Sequence, residues 1–160
     1  MAYVEWTVES CLYPMRCVNG EVEVLLALSR TGTSAGKWVP IGSPVPATSG
    51  IREHIERNLE VLLLRGSTIR LRGIVTELAP QWRETLVFYT AHGAWDFTPP
   101  PDGFAAEYRW FVPAELSGLP MPQADSAFDY SFLIDPDRTY EATMRFDAEG
   151  ILHRVEATDY

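Results

Sequence analysis

Hydrophobic and polar residues alternate along much of this chain, and the alternation predicts a protein built mainly from strands. Segments rich in β-branched and aromatic residues with a two-residue period fall at Tyr3–Thr7, Ser10–Val18, Val22–Leu28, Thr68–Glu77, Thr85–His92, Tyr108–Val112, Tyr140–Phe146 and Leu152–Glu156. Asn19-Gly20 separates the second and third of these. A two-residue hairpin turn needs positive φ at both central positions, which Asn and Gly tolerate. Glu149-Gly150 is expected to turn the last two strands back in the same way.

The period changes between Ile51 and Leu64. Ile51, Ile55, Leu59, Leu62 and Leu63 recur at spacings of four, four, three and one, which is the period of a helix with one buried face. Ser49 is placed to cap its start, and Gly66 lies where helices commonly stop. A second helix is expected over Asp125–Leu133, after the breaker run Gly118–Pro122, and Pro113–Leu116 reads as one short helical turn. Phe97–Gly103 reads as a rigid loop, because the pieces on either side are too small to fold alone. Helices that interrupt strands predict one α/β or α+β domain over residues 1–160, with helices packed on a mixed sheet.

Composition narrows the function. Apolar residues make up 46% of the 160 residues and charged residues 22%, so a packed core is expected rather than disorder. The net charge of −9 argues against an electrostatic grip on nucleic acid, which needs clustered Lys and Arg. No apolar run is long enough to cross a bilayer, and the first residues lack a basic stretch followed by an apolar one, so neither membrane insertion nor a signal peptide is expected. Cys11 and Cys17 are too few for a disulfide framework, and both are expected to pack as buried thiols in a cytoplasmic protein.

Several anchors, in order, resemble the Nudix (MutT-like) superfamily. The hairpin CVNGEVEVLLALSRTGTSAGKWVPIG supplies Asn19, Gly20, Leu25, Leu26, Arg30, Gly36, Lys37, Trp38, Pro40 and Gly42 at the family's positions. GIVTEL from Gly73 resembles the strand after the family's helix, and EYRWFVPAELSGLPMPQAD resembles a later block through Trp110, Phe111, Glu115, Leu116 and Pro120. The resemblance implies a curved mixed sheet with helices on both sides, an α/β/α sandwich. From Pro120 onward the chain is most similar to the branch that cleaves oxidised purine nucleoside triphosphates. There an Asp after the proline block reads the base edge, and Asp125 matches it.

The family's catalytic motif, G-x5-E-x7-R-E-U-x-E-E-x-G-U, gathers divalent cations on helix glutamates, which neutralise the diphosphate and polarise the attacking water. Without gaps from the GKW anchor, Ser43 stands at the first Gly, Ser49 at the first Glu, Arg57 at the Arg and Leu59 at the following aliphatic position. The three helix glutamates become Asn58, Val61 and Leu62, and the late Gly becomes Leu64. A further Glu that the family often adds is Ala105 here. Sliding by about five residues would set Arg52, Glu53 and Glu56 on the motif, but needs a shortened loop before the helix and a longer stretch before Gly73. The ungapped register is adopted.

The expectation is therefore a degenerate Nudix domain that binds a nucleotide or related diphosphate-type small molecule, with no cofactor and no metal ligands. The alternative is an active hydrolase that holds Mg²⁺ on Glu53, Glu56 and Glu60, which share a helix face, or runs other chemistry in the same cleft. Without a metal, that face reads as a solvated one paired with Arg52 and Arg57. Arg57, Asp125, Lys37, Trp82 and Trp95 are candidate ligand contacts, the two tryptophans because loop aromatics can stack a base. His54 reads as a surface or rim residue. A homodimer seam around Trp95 is a further possibility.

Overall fold

The computed structural model describes residues 4–159, so Tyr3 lies outside the described part. Nine strands form one sheet: β1 (Glu5–Val18), β2 (Glu21–Ser29), β3 (Trp38–Val39), β4 (Ile41–Pro44), β5 (Thr68–Leu78), β6 (Trp82–His92), β7 (Ala105–Phe111), β8 (Tyr140–Phe146) and β9 (Leu152–Asp159). Their order is β3-β2-β1-β6-β5-β8-β9, with β4 added to β1 and β7 to β2. The pairs β1–β6 and β5–β8 are parallel and the others antiparallel, so the sheet is mixed. Helix α1 (Ile51–Val61) packs on one face, and the short helical turns between Pro113 and Leu133 cover the other.

The two expected N-terminal strands are one, β1. Along one edge it pairs first with β4 through Glu9–Leu12 and then with β2 through Met15–Val18. Pro14 falls between those partners, where the ladder is already interrupted and a missing N–H costs least. Gly42 allows β4 to approach, since a Cβ there would stand 2.6 Å from the Ser10 carbonyl oxygen. The Asn19-Gly20 turn forms as expected, with φ of 52° and 83°.

Helix α1 ends earlier than its apolar pattern predicts. Leu63 adopts a left-handed φ of 61°, and Leu64 N–H returns to the Leu59 carbonyl at 2.8 Å, closing the helix with Leu62 and Leu64 still buried. Its N-cap is Gly50, which has no side chain to cap with, and Ser49, the expected cap, accepts instead from Arg57. His54 is buried rather than at the rim, and its Nε2 lies 2.7 Å from Ser43 Oγ.

The second expected helix does not form as one piece. α2 (Gln123–Ser126) is followed by a separate 3-10 turn over Tyr130–Leu133. Asp129 accepts a hydrogen bond from Ser131 N–H, which starts that turn afresh. Phe128, Tyr130 and Phe132 then meet Tyr13, Phe88 and Tyr140 in an aromatic cluster. Their every-second-residue spacing does not suit a helix face. Cys11 is buried as expected, whereas Cys17 is exposed, because the end of β1 runs past the cover of the core.

Candidate functional site

A cavity of about 430 Å³ opens between the start of β1, the neighbouring ends of β5 and β6, and the turn after β2. That volume suits a small organic ligand. Glu9, Glu77, Glu84 and Asp125 line it together with Cys11 and Leu86. Strand register explains the convergence. Glu77 pairs with Glu84 and Val75 with Leu86 across β5–β6, while Glu9 pairs with Leu86 across β1–β6. Each acid thus occupies an inward position in phase with residues that feed the core.

Burial sets the electrostatics. It is the main cause that lifts Glu9 and Asp125 to about 7 and Glu77 to about 8, with neighbouring carboxylates adding to it. Of those carboxylates, Glu84 acts most strongly on Glu9. Near neutrality the cavity floor therefore presents carboxyl groups that can donate as well as accept. The Asp125 carboxyl has no hydrogen-bond partner among the described residues, although its backbone carbonyl accepts from Tyr130 OH at 2.8 Å. The opposite rim is neutral and polar. Thr31, Thr33 and Ser34 stand on a tight turn that Gly32 permits with φ of 65°.

A smaller cavity of about 190 Å³ adjoins the first, sharing Gly42 and Phe104. Asn58, Val61 and Leu62 line it from α1, with Ser43, Asp102 and Tyr108 facing them. Tyr108 OH donates to Asp102 Oδ2 at 2.6 Å, and the other Asp102 oxygen accepts from the Phe104 and Ala105 N–H groups. In the ungapped register, Asn58, Val61 and Leu62 stand at the positions of the Nudix motif's three helix carboxylates. One amide and two hydrocarbon side chains do not fit Mg²⁺, which demands oxygen ligands in near-octahedral array. Ala105 is fully buried in the core under α1. Among the described residues no three His, Cys, Asp or Glu side chains converge closely enough to hold a metal ion.

The remaining residues singled out from the sequence lie outside both cavities. Arg57 donates to Glu53 and, at 3.2 Å, to Ser49 Oγ, while Arg52 donates to Glu56 at 3.1 Å. Glu53, Glu56 and Glu60 are all exposed. Lys37 is half-buried beside the β2–β3 turn and lines neither cavity. Trp95 is buried in the core under α1, stacked on Trp110 and donating Nε1–H to the Arg65 carbonyl at 3.0 Å. Trp82 packs on Phe146 at 5.2 Å. Of the expected contacts, only Asp125 reaches the main cavity.

No protein-family model and no curated protein sequence matches the chain. Solved structures do. A MutT protein from Bacillus halodurans superposes with a TM-score of 0.71 over 94% of this chain and 97% of its own, at 16% identity. A MutT protein from Methanosarcina mazei gives 0.66 over 86% and 99%, also at 16% identity. The NUDIX domain of Shewanella oneidensis NrtR, solved with ADP ribose, gives 0.63 over 83% and 86% at 16% identity. The chain has the Nudix fold. Such low identity carries the architecture and no more.

Proposed function

We propose that this chain is a Nudix-fold binding protein for a nucleotide or related diphosphate-type small molecule, and that it has lost Mg²⁺-dependent pyrophosphate cleavage. The observation that carries this reading is the lining of the smaller cavity by Asn58, Val61 and Leu62, at the positions where the ungapped motif places its metal-binding glutamates. Val and Leu cannot ligate a dication, and a neutral Asn amide cannot replace three carboxylates.

The main cavity suits recognition. A ring edge bearing N–H groups would meet the unpaired Asp125 carboxyl, with Glu77 and Glu9 supplying further donors or acceptors according to their protonation. Phosphate oxygens are repelled by the acidic floor and are better accommodated at the neutral hydroxyls of Thr31, Thr33 and Ser34. The ADP ribose held by the NrtR domain contains both kinds of group and is the first ligand to try.

A relocated metal site on Glu53, Glu56 and Glu60 has weaker support, since the first two are tied to Arg57 and Arg52 on the exposed side of α1. Isothermal titration with ADP ribose and a panel of nucleoside diphosphate derivatives, with Mg²⁺ and with EDTA, tests the proposal. Binding of a panel member with equal affinity under both conditions is expected, and weakened fivefold or more by Asp125→Asn. Binding that requires Mg²⁺ overturns it.

A further inference from the structure

At the other end of the sheet face that carries the acidic cavity, the charge is reversed. Thr68 pairs with His92 and Arg70 with Thr90 across β5–β6, so these side chains share one face. The register shifts between Leu71 and Gly73, which makes Arg72 the unpaired residue of a β-bulge. Arg70, Arg72 and His92 line a cavity of about 410 Å³ whose apolar wall includes Val22, Leu133 and Pro136.

The cationic groups here lack anionic partners. Arg72 is buried, and its guanidinium donates only to main-chain carbonyls, those of Phe132 (2.6 Å), Asp135 (2.5 Å), Pro136 (2.9 Å) and Arg138 (2.8 Å). Its Nε–H has no partner. Arg70 is exposed and makes no ion pair among the described residues. Asp135 and Asp137 act on Arg72 through space without forming an ion pair with it. A positive, partly apolar pocket in a chain of net charge −9 needs a reason, because the fold could be held by neutral donors.

We propose that the Arg70–Arg72–His92 cavity is a second ligand site, separate from the acidic cavity, that takes a small organic anion with a phosphate or carboxylate headgroup. Arg70 and the His92 ring would contact the headgroup, with Arg72 as a fixed positive charge behind them, while Val22, Leu133 and Pro136 receive the organic part. The free protein carries the matching electrostatic signature. Burial, and then Arg70 and Arg72, hold the His92 pKa below its usual value. A bound anion offsets the two arginine charges and favours the protonated ring.

The test is an NMR titration of the His92 ring, alone and with millimolar phenyl phosphate or benzoate, in the native chain and in Arg70→Ala. Arg70 is exposed, so the variant should fold, which a thermal melt verifies. His54 and His153 serve as internal controls. The expected result is an upward move of the His92 midpoint by about one pH unit in the native chain, at least halved in Arg70→Ala. The more effective ligand identifies the headgroup. A His92 midpoint that neither anion moves, one that moves equally in Arg70→Ala, or one matched by His153 overturns the proposal.

Discussion

Arg57 donates from Nη1 to Ser49 Oγ at 3.2 Å, joining the loop before α1 to the second turn of the helix. These residues stand where the ungapped alignment places the first glutamate and the arginine of the Nudix motif. Their meeting fits that register, in which the next position is Asn58 and the cavity-facing turn continues through Val61 and Leu62.

Placing two carboxylates on this turn should create a metal site. Val61 is exposed and Asn58 half-buried, so the double variant Asn58→Glu/Val61→Glu should fold. Mn²⁺ titration followed by electron paramagnetic resonance should show at least a tenfold gain in affinity over the native chain, about 1.4 kcal/mol. Equal affinity would mean that this turn does not face a metal-accessible cleft.

The Ser43–His54 hydrogen bond ties α1 to β4 at the edge of the smaller cavity. Ser43→Ala leaves a buried imidazole nitrogen without its partner and should cost roughly 1–3 kcal/mol in urea denaturation. In a double-mutant cycle with His54→Phe, most of that loss should disappear. Full additivity would show that the two side chains do not interact.

Leu63 holds a left-handed φ of 61° while 60% exposed, so it bears backbone strain with little burial in return. Leu63→Gly should be neutral to stabilising, by up to about 1 kcal/mol, where a glycine elsewhere in the helix would destabilise. A loss of stability in denaturant titration would contradict the C-cap geometry.

The acidic cavity makes stability depend on pH. In the unfolded chain its carboxyls titrate near their ordinary values of about 4, but in the native protein Glu9 and Asp125 titrate at about 7 and Glu77 at about 8. Between those limits the native state holds more protons than the unfolded one. The contribution is therefore complete below the unfolded values and lost as pH rises through 7 to 8. Melting temperature should fall between about pH 5 and pH 8, levelling off above that, and Glu77→Gln should remove part of that fall. An unchanged slope in the variant would contradict the buried placement of Glu77.

The fold was legible in the sequence because strand alternation, the Asn19-Gly20 turn and the Ile51–Leu62 stripe each obey a local rule. The floor of the main cavity was less so. Glu9, Glu77 and Glu84 look like ordinary strand polars until their phase is compared with Cys11, Val75 and Leu86, which marks them as inward-facing. Their convergence depends on the parallel β1–β6 pairing, which no local pattern announces. Trp95 was misleading for the converse reason. It lies outside any strand, yet Arg65 and Trp110 draw it into the core. Asp125 was visible only through the family resemblance.

The most direct measurement is ³¹P NMR of ADP ribose and nucleoside diphosphate derivatives incubated with the protein and Mg²⁺ or Mn²⁺. The spectra should keep their diphosphate resonances unchanged over hours, at concentrations where titration calorimetry records binding. Metal-dependent appearance of phosphomonoester signals, abolished by EDTA, would contradict the account.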